Sequence, residues 1–160
     1  MTTRKTEIYF ESDEMRNEID EGSVLSFIEN ASRALGLEGN FSLSFISDDE
    51  MRRLNNEYRN MDSSTDVLTF ALDDDASFPS FDFEEKELGD IFISPSFIRK
   101  NSEEFSVPYS QELMRLVLHG MMHLMGYDHE SNDFEKEEML IKQEEILRAI
   151  LLDKSLMQQK

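Results

Sequence analysis

The segment from Ser110 to Gly126 constrains the fold of this chain more than any other part of the sequence. A helix through this segment would be apolar on nearly every side, and such a helix is buried within a protein. Ser110 is a favourable helix cap, and Gly126 is a common helix terminator. The sequence therefore predicts a buried central helix with these apolar positions: Leu113, Met114, Leu116, Val117, Leu118, Met121, Met122, Leu124 and Met125.

Apolar periodicity in the rest of the chain predicts strands interleaved with helices. A chain of 160 residues is long enough for one hydrophobic core, so we expect a single domain spanning residues 1–160. The order of elements predicts an α+β fold, in which a small mixed sheet of about four strands packs on helices. The predicted strands are Thr6 to Phe10, Phe41 to Ile46, Asp66 to Leu72 and Leu88 to Ser94; the other helices end at Gly36, open with a Ser47 and Glu50 capping box, and run from Asn132 to Leu152.

All three histidines of the chain lie between positions 119 and 129. His119 and His123 are four residues apart, so they project from one face of the predicted helix. Gly126 can adopt the left-handed conformation that would turn His129 back toward them. Three imidazoles leave one coordination position open, which is typical of catalytic zinc. We predict one Zn²⁺ per chain at His119, His123 and His129, although the ligand set also suits nickel or another divalent ion.

The net charge of −19, from 16 basic and 35 acidic residues, disfavours broad attraction to phosphate backbones. The segment from Asp73 to Glu87 reads as an acidic loop. Arg52, Arg53 and Arg59, opposed only by Glu57, form a locally basic stretch. No apolar run approaches the length of a membrane span, so we expect a cytoplasmic protein without a membrane partner.

The histidine spacing coincides with the zinc site of the metzincin proteases, which makes a metallopeptidase one alternative. Those proteases place a glutamate general base directly after the first histidine, and this chain has Gly120 there. Without that carboxylate, a metal-bound water has no evident proton acceptor during amide hydrolysis. The sequence therefore favours a different hydrolytic activity.

Four segments in the same order closely resemble the YbeY family of bacterial single-strand-specific endoribonucleases. They are Leu54 to Arg59, Thr65 to Phe70, Leu88 to Ser94 and His119 to His129. The resemblance implies a zinc-dependent α+β fold with the three histidines as metal ligands. It also implies ribosomal RNA processing at the 3′ end of the small-subunit RNA and ribosome quality control. The partners so implied are single-stranded RNA, ribosomal RNA and the small ribosomal subunit, and no DNA is expected.

By its position alone, Arg59 is a helix-end residue that complements the helix dipole. The resemblance instead implies that Arg59 is catalytic, and its paired donors match phosphate oxygens. Asp128 is expected either to orient a histidine or to cap the turn. The attacking group is either a metal hydroxide or the ribose 2′-hydroxyl. A non-catalytic alternative also stands, in which zinc stabilises a ribosome-binding assembly factor.

Overall fold

The computed structural model of the chain describes residues 6–72, 87–126 and 133–158, with the side chains of the last helix described from 138 to 152. Short strands and longer helices alternate along these ranges, as the apolar periodicity predicts. In chain order the elements are β1 (Glu7–Phe10), α1 (Asp13–Glu18), α2 (Glu21–Leu35), β2 (Asn40–Phe45), α3 (Asp48–Arg59), β3 (Val67–Ala71), β4 (Glu87–Ile93), α4 (Pro95–Phe105), α5 (Tyr109–Leu124) and α6 (Asp133–Gln158).

The strands form one mixed sheet in the order β1-β2-β4-β3. Strands β1, β2 and β4 are parallel, whereas β3 pairs with β4 in the antiparallel sense, with Leu68 opposite Phe92. Strand β3 therefore lies at an edge of the described sheet. The predicted small mixed sheet and the α+β class are confirmed.

Helix α5 lies at the centre of the molecule, because it contacts β3, β4, α2, α4 and α6. Its buried side chains meet Leu43 of β2 and Ile91 of β4 in the main hydrophobic core. A smaller core on the other face of the sheet joins Met51 of α3 to Leu68 of β3. The prediction of a buried central helix is confirmed, except that Met125 lies just past its end and is exposed. The single domain over residues 1–160 stays a prediction, since the described ranges do not cover the whole chain.

The predicted cap of α5 is wrong by two residues. The helix begins at Tyr109, directly after Pro108, so Ser110 lies inside the first turn. Proline has no backbone N–H and a fixed extended conformation here, with φ −61° and ψ 148°, which directs the chain into the helix. At the other end, α5 stops at Leu124 and Gly126 adopts φ +100°, as the sequence predicts.

The predicted capping box at α3 forms only in one direction. The Ser47 hydroxyl accepts a hydrogen bond from the Glu50 backbone N–H at 3.2 Å. The backbone N–H of Ser47, however, donates to the carboxylate of Glu11 at 2.7 Å, while Glu50 pairs with Arg53. The Ser47 backbone N–H thus donates to Glu11 and not to the Glu50 side chain, which would have completed the capping box.

Two helices and one strand boundary differ from the sequence prediction for identifiable reasons. Helix α1 was not predicted because none of its residues is buried, and α4 was not predicted because it buries only Pro95 and Ile98. Strand β4 begins at Glu87, which the sequence assigned to the acidic loop; the rest of that loop, residues 73–86, lies outside the described residues. None of the described helices has the length and apolar character needed to cross a membrane.

Candidate active site

Two of the three predicted metal ligands meet at the C-terminal end of α5. The four-residue spacing places His119 and His123 on one face of the helix, as expected for successive turns. Their Nε2 atoms are 3.1 Å apart, and their rings are nearly perpendicular with centroids separated by 4.6 Å. Both side chains are partly buried. The arrangement presents two imidazole nitrogens to one point in space.

This pair fits a shared metal ion. With metal–nitrogen distances of about 2.0–2.1 Å and tetrahedral geometry, two nitrogens bound to one zinc ion lie about 3.3 Å apart. The observed separation of 3.1 Å is close to that distance. His129 lies outside the described residues, as does Asp128, so their predicted roles stay predictions. Within the ranges that the structure describes, no three acidic, histidine or cysteine side chains form a metal site.

The other nitrogen of His119 faces helix α6. Its Nδ1 atom lies 2.7 Å from the side-chain oxygen of Gln143, which is buried. A carbonyl oxygen only accepts hydrogen bonds, so Nδ1 carries the proton and Nε2 is the unprotonated nitrogen, as a metal ligand requires. Sequence analysis did not identify Gln143, because it is 24 positions from its partner.

A cleft of 620 Å³ opens beside the histidine pair. His119, His123 and Gly126 line one wall, and the edge strand β3 with the segment before it lines the other. Strand β3 lies at the edge of the described sheet, and the second wall also includes Asn55 and Arg59 from the end of α3. The residues of this second wall are Asn55, Arg59, Met61, Ser63, Ser64, Thr65, Asp66, Val67, Leu68, Thr69 and Ala71.

Arg59, the predicted catalytic residue, lies in the same cleft as the histidines. It is the last residue of α3, and its Nη2 atom donates to the backbone oxygen of Thr69 at 2.9 Å. Its guanidinium carbon is 5.6 Å from the centre of the Phe70 ring, a cation–π distance. These contacts hold the exposed guanidinium across the edge of β3. The structure thus brings Arg59 together with His119 and His123.

The prediction that Arg52, Arg53 and Arg59 together form a basic surface is wrong, because two of the three arginines are paired with carboxylates. Arg52 forms a paired contact with Asp62, at 2.6 and 3.1 Å, and Arg53 pairs with both Glu50 and Glu57. The hydrogen bonds from Arg52 hold the pKa of Asp62 below its ordinary value. In the described part of the chain, Arg59 itself has no carboxylate partner. Among the described residues that line the cleft, Arg59 is the one that carries positive charge.

Asn55 shapes the segment that joins α3 to the cleft. Its buried side-chain nitrogen donates to the backbone oxygen of Ser63 at 2.9 Å, and its backbone oxygen accepts from Met61. Asn60 between them adopts the left-handed conformation, with φ 58°. Asn55 therefore fixes the loop that carries Ser63 and Ser64 to the cleft, a role that periodicity does not reveal.

A polar network continues from the histidines through the interior. Glu144 accepts two hydrogen bonds from Arg115, at 2.8 and 3.0 Å, and Arg115 also contacts the buried Glu112 at 2.7 Å. Burial acts to raise the pKa of Glu144, but hydrogen bonds from Arg115 and Gln143 outweigh it and leave that pKa below its ordinary value. The side-chain nitrogen of Asn101 lies 3.2 Å from Glu112, which extends the network to α4.

Gly120 packs against the sheet and does not line the cleft. A methyl group at this position would lie 2.8 Å from Cγ2 of Ile91, which is fully buried on β4. A glutamate at position 120 would therefore collide with the sheet. The position that carries the general base in metzincin proteases has no room for one here.

Comparisons with known proteins identify relatives with the same architecture. The family described as endoribonuclease YbeY matches residues 2–151. Endoribonuclease YbeY of Borreliella afzelii is 44% identical over 110 residues, which cover 68% of this chain and 72% of that protein. The Shouchella clausii protein of the same name is 36% identical over 152 residues, covering 85% and 94% of the two chains.

The comparison with solved structures agrees with the sequence comparison. The solution structure of TM1509 from Thermotoga maritima matches with a TM-score of 0.63 and 26% identity, covering 94% of this chain and 92% of that one. By the extent of its match to the family and by its identity to these relatives, the chain belongs to the endoribonuclease YbeY family.

Proposed function

We propose that this chain is a metal-dependent endoribonuclease that cleaves single-stranded RNA and acts in ribosomal RNA processing. The observation that carries the proposal is the shared cleft, where the paired histidine nitrogens face the same space as Arg59. Family membership supports the reaction class. The finer parts of the proposal are zinc as the ion, the small-subunit RNA 3′ end as substrate, the small ribosomal subunit as partner, a role in ribosome quality control, and the cytoplasm as location.

The ligand set proposed for the ion is His119, His123 and His129. When bound, a divalent ion supplies activation of water and polarisation of a phosphoryl oxygen. Neutral imidazoles suit this purpose, because they leave most of the positive charge of the ion uncompensated. The orientation of His119 by Gln143 supports its part in this set.

Arg59 is proposed to bind the scissile phosphate. Its contact with Thr69 uses one N–H group, and a guanidinium has five, so donors remain for phosphate oxygens. Two parallel donors on one planar group match two oxygens of a phosphate and stabilise charge that develops there during cleavage. The cation–π contact of the guanidinium with Phe70 supports a fixed orientation.

The shape of the cleft suits a single strand. Its far wall joins the edge strand β3 to the polar segment before it, where the side chains of Ser63 and Thr65 can contact sugars and phosphates. The net charge of −19 supports recognition that is confined to the cleft, since a duplex would bring more phosphates against the acidic surface.

The experiment that tests this function compares His123→Ala with Met125→Ala. Met125 is exposed two residues further along and does not line the cleft, so it is a matched control. With zinc-loaded protein, His123→Ala should lose single-stranded RNA cleavage at least about 100-fold, while Met125→Ala retains it. RNA and ribosome binding should survive both changes.

Two outcomes would reject the proposal in different ways. If wild-type protein binds ribosomes but never cleaves RNA, the non-catalytic assembly factor is the better hypothesis. If the metal-loaded protein hydrolyses peptides in a manner abolished by His123→Ala, the metzincin analogy replaces it.

A further inference from the structure

The oxygen and the nitrogen of the buried Gln143 amide have different neighbours. Its oxygen is 2.7 Å from Nδ1 of His119, and its nitrogen is 3.2 Å from a carboxylate oxygen of Glu144. A carboxylate accepts hydrogen bonds and repels the amide oxygen, so the amide nitrogen must face Glu144. The amide oxygen is thereby directed at His119.

Glu144 is itself held in place from the side of α5. Arg115 donates to both of its carboxylate oxygens, and this paired geometry fixes the plane of the carboxylate. Arg115 in turn donates to Glu112, whose side chain is 3% exposed. A continuous chain of contacts thus runs from the partly buried pair of Glu112 and Arg115 to a histidine at the cleft.

We propose that Gln143 and Glu144 form a tautomer lock on His119. Glu144 orients the amide of Gln143, and the amide oxygen keeps the proton of His119 on Nδ1, which leaves the Nε2 lone pair directed toward His123. Both act as positioning residues through His119, and neither touches the reacting atoms. The inference rests on the proposed function only in taking His119 as a metal ligand.

The first test uses metal-free protein and needs no RNA. At about pH 8, above the ordinary imidazole pKa of about 6.5, two-bond proton–nitrogen NMR correlations distinguish the two neutral tautomers. Wild-type His119 should be the Nδ1–H tautomer. Gln143→Leu should convert it to a mixture or to the Nε2–H form, because Nδ1 loses its acceptor. Repeating the comparison in His123→Ala removes the influence of the neighbouring ring.

The second test measures zinc affinity by competition with a chelator. Gln143→Leu should weaken zinc binding about 10- to 100-fold, as is typical when the partner of a ligating histidine is removed. Gln143→Glu in the Glu144→Gln background keeps an acceptor for Nδ1 without setting two carboxylates against each other, and should recover most of that loss. Glu144→Gln should weaken binding, whereas Glu145→Gln, the same charge change at an exposed neighbour, should leave it within about twofold.

Unchanged tautomer and unchanged zinc affinity in folded Gln143→Leu would overturn the proposal. If Gln143→Leu does not fold, Glu144→Gln provides the test. The proposal would then be overturned if Glu144→Gln and Glu145→Gln show the same His119 tautomer and the same zinc affinity. A protein that shows the locked tautomer but cleaves no RNA would reject the proposed function and leave the lock intact.

Discussion

At the scale of single residues, the cleft depends on one arginine that is left without a carboxylate partner within the described ranges. Arg52 and Arg53 precede it on the same helix, yet both are paired with acidic side chains. Exposed pairs of this kind contribute little to stability, but they remove positive charge from the local field. Arg59 crosses to the edge of β3 and lies beside the histidines.

Replacing Arg59 should affect turnover much more than stability. Loss of one charge-assisted phosphate contact, about 1.5 to 3 kcal/mol, should slow Arg59→Ala about 10- to 100-fold. Arg59→Lys should recover only part of the rate, because an ammonium lacks the paired planar donors. Melting temperatures should stay within a few degrees of wild type, since the side chain is exposed. Single-turnover cleavage rates and thermal melts measure both effects.

Arg53→Ala provides the matched control for this prediction. It removes an exposed arginine from the same helix, but one that is paired with Glu50 and Glu57 and does not line the cleft. Its cleavage rate should stay near that of wild type. If Arg59→Ala and Arg53→Ala cleave RNA at the same rate, Arg59 does not contact the scissile phosphate and only complements the dipole at the end of α3.

Glu144 should give the protein a pH-dependent part of its stability. Its pKa is lowered in the folded protein from an ordinary value of 4.5. The stabilisation is therefore present above about pH 4.5 and is lost as pH falls through the folded pKa. Urea unfolding from neutral to acidic pH should show wild type and Glu144→Gln converging at low pH. A stability difference between wild type and Glu144→Gln that does not change with pH would contradict the assignment.

The sequence revealed the histidines but not the residues that orient them. His119 and His123 are recognisable because helical spacing places them together. Gln143 and Arg115 are ordinary helix residues whose partners are 24 and 29 positions away. Their importance arises only when α5 packs against α6, so local patterns cannot show it.

At the scale of elements, the packing of α5 on β4 sets the position of the histidines. Gly120 allows this close approach, because Ile91 occupies the space that a side chain would need. Ile91 is branched at Cβ and fully buried, so it has little freedom to move away. The glycine that follows the first histidine is therefore a packing requirement.

Gly120→Ala should destabilise the protein even though alanine favours helices. Alanine gains up to about 1 kcal/mol of helix propensity, whereas forcing a methyl group into a packed core costs about 1–3 kcal/mol. In an Ile91→Ala background the collision is removed, so the same change should become stabilising. A double-mutant cycle of unfolding free energies tests this. Additive effects of the two substitutions would contradict the proposed contact.

Elements with a strong apolar pattern were predictable, and those without one were not. Helix α5 was evident because it is apolar on nearly all sides, and the strands β2 and β4 were evident from their apolar residues. Helix α1 is six residues long and buries none of them, and α4 buries only Pro95 and Ile98, so neither has the long run of buried apolar positions that marks α2 and α5. The start of α5 was misplaced because Pro108, rather than the favourable cap residue Ser110, directs the chain into the helix.

At the scale of the whole molecule, a net charge of −19 has to be reconciled with an RNA substrate. Among the described arginines near the cleft, only Arg59 lacks an acidic partner. The protein should therefore bind RNA through few phosphate contacts, so affinity must depend on the cleft and not on long-range attraction.

The salt dependence of RNA binding should accordingly be shallow. Each phosphate contact with a single strand contributes about −0.7 to the slope of log affinity against log salt. One or two contacts predict a loss of only about three- to sevenfold between about 50 and 200 mM salt. His123→Ala protein keeps the RNA intact during the measurement. Adding Arg59→Ala to this protein should make the slope shallower by about 0.7, whereas adding Arg53→Ala should not change it. A slope for His123→Ala several times steeper than predicted would show that a basic surface outside the cleft binds RNA.

The central claim, that one metal ion in this cleft drives RNA cleavage, is tested most directly by metal titration. Metal-free protein is titrated with zinc while cleavage of a labelled single-stranded RNA is followed, with a duplex of the same sequence as control. Cleavage of the single strand should rise from background to a plateau at about one zinc per chain and disappear on chelation, while the duplex stays intact. Full cleavage by folded, metal-free protein, or none by fully loaded protein, would contradict the claim.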